Sequence, residues 1–137
     1  MKIEFLYTFA NAMTSSVVFK FLMLVVVLDT LLGVLRAIKY RKFNSSVGID
    51  GAIRKVAMLI CAVALMAADL LVHANVAFMI PNEYLQVIGL TKVGLCELFS
   101  LLFILYECVS ILKNMVLCGL PVSAKMRDWL EEFLKDM

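Results

Sequence analysis

Four carboxylates stand inside stretches of this chain that are otherwise apolar: Asp29, Asp69, and the pair Glu97 and Glu107. An ionisable side chain at membrane depth is costly and faces a partner, a cavity or an ion path. Asp69 and His73 stand four residues apart, a metal-like spacing, yet two ligands without a cysteine or a second histidine do not make a zinc site. Cys61, Cys96, Cys108 and Cys118 form no CxxC pair and fall inside or at the end of apolar runs, so they read as small packing residues. There is no nucleophile–base pair, Gly-rich phosphate loop or metal cluster, so neither an enzyme nor a bound cofactor or metal is expected.

The elements that must carry these acids are long. Hydrophobic residues make up 64% of the 137 residues and mean hydropathy is +0.97, against roughly 45–50% apolar content in an ordinary soluble domain. Three stretches, 17–38, 55–78 and 93–117, have the length to cross a hydrocarbon core of roughly 30 Å at about 1.5 Å per residue. The expected architecture is therefore all-α, an integral membrane protein with three transmembrane helices. The spans and their links leave no room for a soluble catalytic domain.

Residues 3–13 are mostly apolar, but Glu4, Thr8 and Asn11 interrupt them, so they read as a retained N-terminal segment that lies in the interface or folds back on the bundle, and not as a signal peptide. Met13 reads as an ordinary apolar residue. Thr14, Ser15 and Ser16 offer N-caps for the first span. That span ends in Arg36, Lys39, Arg41 and Lys42, followed by Asn44-Ser45-Ser46 and an Asp50-Gly51 turn signal, with Arg54 and Lys55 opening the second. In the second span Ala57, Cys61, Ala64 and Ala68 form a strip of small side chains that permits close helix approach. In the third, Glu97, Ser100, Ile104, Glu107, Ser110 or Ile111, and Asn114 recur at three and four, giving one polar face. Gly119 and Pro121 stop that helix.

Residues 122–137 read as a separate cytoplasmic amphipathic helix. Val122, Met126, Trp129, Leu130, Phe133, Leu134 and Met137 lie on one face, with Lys125, Arg127, Asp128, Glu131, Glu132, Lys135 and Asp136 on the other. Such a helix rests on the bilayer or pairs with a copy of itself, and the sequence leaves both open. The first link holds six Lys or Arg residues (Arg36, Lys39, Arg41, Lys42, Arg54, Lys55) and the C-terminal part four (Lys113, Lys125, Arg127, Lys135). The N-terminus and second loop hold three (Lys2, Lys20, Lys92), which puts the N-terminus outside and the C-terminus in the cytoplasm.

The chain resembles the small phage-lysis and toxin-secretion holins of bacteria and their phages. The resemblance rests on Asp29-x3-Gly33-x3-Ala37 leading into a basic helix end, on Ser45-Ser46-x-Gly48-x2-Gly51-x2-Arg54-Lys55, and on Glu107-x2-Ser110-x3-Asn114 followed by Gly119-x-Pro121. It implies a multi-pass protein of the bacterial cytoplasmic membrane that accumulates, then assembles into lesions releasing a lysin or a large toxin. It further implies a homo-oligomer, an endolysin or toxin as cargo, and an antiholin as a second partner. Membrane lipids are the remaining expected partner, and nucleic acid is not one.

Helix rise puts Asp29 and Glu107 within roughly 5 Å of the midplane and Asp69 and Glu97 in the outer half. In a static bundle each acid would be protonated or paired with Lys20, Arg36, His73 or Lys92. In an assembly Asp29, Asp69, Glu97, Ser100, Glu107, Ser110 and Asn114 would line a pore or an oligomer interface. Gly33 joins the small strip as a packing position, and Arg36, Lys39, Arg41 and Lys42 mark topology and attract head groups. A small ion channel or proton-coupled carrier, and a membrane anchor without transport activity, are the rival readings.

Overall fold

A computed structural model describes residues 2–135, all but the Leu134 side chain. Asp136 and Met137, the end of the expected amphipathic helix, lie outside the described residues. Among those described there are six α-helices and no strand: α1 Lys2–Ser15, α2 Val17–Tyr40, α3 Ser45–Val72, α4 Asn82–Ile88, α5 Leu95–Cys118 and α6 Ala124–Lys135, with a 3-10 turn at Ala77–Met79. α2, α3 and α5 are each long and apolar enough to cross a membrane.

The chain turns where side chains satisfy helix-end amides. Ser16 breaks α1 from α2: its backbone is extended, and its hydroxyl accepts from Phe19 N–H at 3.2 Å. α2 ends on Arg41 in the left-handed region, φ 52°, with its N–H on the carbonyls of Ala37 and Ile38. Asn44 then starts α3 at once, its Oδ1 accepting from Ser46 N–H (3.2 Å) and Ser46 Oγ (2.7 Å). The link between α2 and α3 is thus far shorter than expected, and Asp50-Gly51 lies inside a helix. A strong cap at Asn44 outweighs a weak turn signal, since one glycine inside a helix costs only about 1 kcal/mol.

α5 is the central helix, packed along α2 and α3, which scarcely meet each other. The core joins Val18, Phe19, Leu22, Val25 and Val26 of α2 to Ala62 and Met66 of α3 and Cys96, Ile104 and Ile111 of α5. The outward faces of the three are apolar, including Leu24, Leu28 and Leu31 on α2, Val56 and Ile60 on α3, and Leu102 and Leu105 on α5. Apolar surface turned outward on all three helices is what lipid as solvent requires. α1 folds back on the bundle, with Phe9, Ala12 and Met13 half-buried against the core.

Candidate functional site

The helix with the polar face is the one that two others cover. On α5 the buried positions are Cys96, Ser100, Ile104, Glu107, Ile111 and Asn114, spaced at three and four. Near mid-helix this stripe meets Asp29 from α2 and Lys55 from α3. The Lys55 ammonium donates to Asp29 Oδ2 at 2.6 Å and to Glu107 Oε2 at 2.5 Å. Asn114 Nδ2 donates to Asp29 Oδ1 at 2.8 Å. Exposure is 1% for Glu107 and 5% for both Asp29 and Asn114, so two acids are withdrawn from their surroundings by one cation within a single chain.

Lys55 was not among the partners expected for these acids. Counted as a flank of span two, it instead stands ten residues inside α3, because that helix starts at Ser45. The signal was present in Asn44-Ser45-Ser46, a helix cap that sets Lys55 about 15 Å along the axis. Its geometry makes it the main polar tie between α3 and α2. A recess of about 80 Å³ opens beside the cluster, bordered by Gly51, Arg54, Tyr106 and Ser110. Arg54 donates to the Tyr106 hydroxyl and lies 5.6 Å from the centre of its ring. Asn114 Oδ1 is buried with no hydrogen-bond partner among the described residues.

The other two acids do different work. Asp69, near the end of α3, accepts from Leu95 N–H (2.9 Å) and Cys96 N–H (2.7 Å), capping α5 from a neighbouring helix. Glu97 Oε2 accepts from Gly94 N–H at 2.9 Å. His73 ends α3 in the left-handed region with its N–H on Asp69 O at 2.8 Å, so the Asp69-x3-His73 spacing is that of a helix end. Gly94 leaves room for these carboxylates: a methyl group there would collide with the Asp69 carboxylate and sit 2.8 Å from Glu97 Oε2, so both side chains would have to shift. Gly94→Ala is expected to dislodge Asp69 and lower stability by about 2 kcal/mol, the scale of one charge-assisted hydrogen bond. Detergent-solubilised protein followed by helicity on heating checks this, and an unchanged midpoint would mean the cap contributes nothing.

The remaining expected residues fall as follows. Ser100 is fully buried on the stripe, and Ser110 is half-buried at the recess. Gly33 faces α5, its missing methyl 3.8 Å from Asn114 Nδ2. Of the small strip, Ala57 and Ala64 are exposed and Cys61 and Ala68 half-buried; α3 packs inside through Ala62 and Met66. Lys39 donates to Leu117 O at 3.1 Å, where Tyr40 also donates at 3.0 Å, closing the end of α5. Arg41 and Lys42 are exposed, and Arg36 is half-buried.

Three membrane-length helices packed round an intramembrane ion cluster define a small multi-pass membrane protein. A family model described as the bacteriophage holin family matches residues 7–135, and the chain belongs to that family. It is 52% identical over 118 residues to the holin-like protein TcdE of Clostridioides difficile, an alignment covering 86% of this chain and 71% of that protein. No solved structure matches. Membership carries membrane association and oligomerisation with it.

Proposed function

We propose that this protein self-assembles in the cytoplasmic membrane and permeabilises it, releasing a lysin or a large toxin. Its N-terminus lies outside and its C-terminus in the cytoplasm. The observation that carries the proposal is the Asp29–Lys55–Glu107 cluster in a chain of the holin family. A pore needs a polar surface that can be stored without leakage, and α5 has one, closed in the single chain by α2 and α3.

Opening requires α3 to part from α2 and α5. That step breaks two ionic contacts and uncovers Asp29 and Glu107 beside Ser110, and hydration of those groups in a lumen offsets the loss. The outward small strip of α3, with Ala57 and Ala64, then serves contact between copies.

Inducible expression in bacteria, with a membrane-potential dye and a co-expressed cytoplasmic reporter enzyme, tests the proposal. Abrupt depolarisation with escape of the enzyme is the expected result. Depolarisation without escape would instead assign an ion channel, and no change in either would assign an anchor.

A further inference from the structure

The end of α5 leads through residues 119–123 into α6, whose start is set by Ser123: its carbonyl accepts from Met126 and Arg127 N–H at 3.1 and 3.0 Å. α6 touches α5, and among its described side chains Leu130 is buried, 3% exposed. Met126, Trp129 and Phe133, spaced at three and four, remain open at 43%, 49% and 39%. Trp129 and Phe133 stack with ring centres 5.4 Å apart and planes 18° apart, forming one flat apolar edge.

We infer that this edge lies in the lipid interface of the leaflet nearest α6, making it a fourth membrane contact, parallel to the surface. Two observations select lipid over a second copy. First, α6 hangs from the end of the bundle where the lipid-facing surface of α2 finishes in exposed Leu35, Ile38 and Tyr40, so its apolar edge continues a surface already turned to acyl chains. Second, at about 100° per residue the charged residue nearest that edge among those described is Lys125, about 40° from Trp129, with Glu132 about 20° farther round and Asp128 and Glu131 beyond. A lysine beside the apolar edge, its stem along the acyl chains and its ammonium among phosphates, suits that placement. The exposed Arg41 and Lys42 stand at the same end of the bundle.

Trp129 is the sole tryptophan of the chain, so its fluorescence reports α6 alone. The full-length protein would be reconstituted in phosphatidylcholine–phosphatidylglycerol vesicles containing lipids brominated either near the head group or near the chain end. With the indole about 5–10 Å below the head-group boundary, the shallow bromines are expected to quench it by more than half and the deep ones less. Met126→Glu with Phe133→Glu should abolish that quenching and shift emission to the red while the transmembrane helicity persists. Strong quenching by aqueous acrylamide with none by either bromolipid would place α6 in water and overturn the inference. Blue emission insensitive to both quenchers, lost on dilution into excess lipid, would assign the edge to a second copy and overturn it equally. Neither result depends on whether the protein forms lesions.

Discussion

Lys55→Met is expected to produce the largest change of any single substitution. It leaves Asp29 and Glu107 facing each other with no cation, in a site where exposure is 5% and 1%. Removing one partner of a buried ion pair costs about 3–5 kcal/mol, because the orphaned charge keeps its desolvation cost. The closed bundle is the state that bears this cost, since α3 is joined to α2 and α5 through that ammonium. At matched protein levels the variant should therefore lyse early, with lower resistance to detergent unfolding. Lys55→Met combined with Asp29→Asn and Glu107→Gln removes all three charges while keeping the shapes, and should recover most of the lost stability. Timing and unfolding measured on both variants check this. A single variant as stable and as slow as the parent would show that the ammonium does not close the stripe.

Glu107→Gln should act in the opposite direction. The cluster sets one ammonium against two carboxylates, so removing this acid leaves an even pair, Lys55 with Asp29, still supported by Asn114. The amide retains an oxygen for Lys55, and the closed bundle loses a like-charge contact between the two acids. An open lumen meanwhile loses the group whose hydration contributes most there. Both changes favour the closed form, by on the order of 1–2 kcal/mol, or roughly tenfold in the open fraction. Lysis should come later at equal protein levels, and the interval between induction and loss of membrane potential measures it. Unaltered timing would remove Glu107 from the opening step.

These two substitutions also mark what the sequence could and could not tell. The helices were legible because lipid as solvent leaves few options: long apolar stretches must be helical when no water pairs their backbone. The inward face of α5 was legible from Ser100, Ile104, Glu107 and Asn114 recurring at helical spacing. The acids were visible as the groups needing shelter, yet their partner was not. Lys55 looked like a boundary residue because Asp50-Gly51 resembles a turn, whereas the Asn44 cap carries the helix straight through it. Which face of α3 turns inward was equally hidden, since Ala57 and Ala64 form as tidy a strip as Ala62 and Met66, and only the position of Lys55 decides between them. Asp69 was recognised as an unusual acid, but its task depends on Gly94, whose lack of a side chain leaves room for the carboxylate.

The central claim is that the polar face of α5 is closed in the single chain and meets water only after assembly. Ser100 is fully buried on that face, and serine and cysteine differ little in size. In a background with the four native cysteines replaced, Ser100→Cys can be challenged with a membrane-impermeant maleimide, in cells, before and after lysis begins. The account predicts no labelling while the protein accumulates and rapid labelling once the membrane potential falls. Labelling throughout accumulation, or release of the cytoplasmic reporter with the cysteine still unreacted, would contradict it.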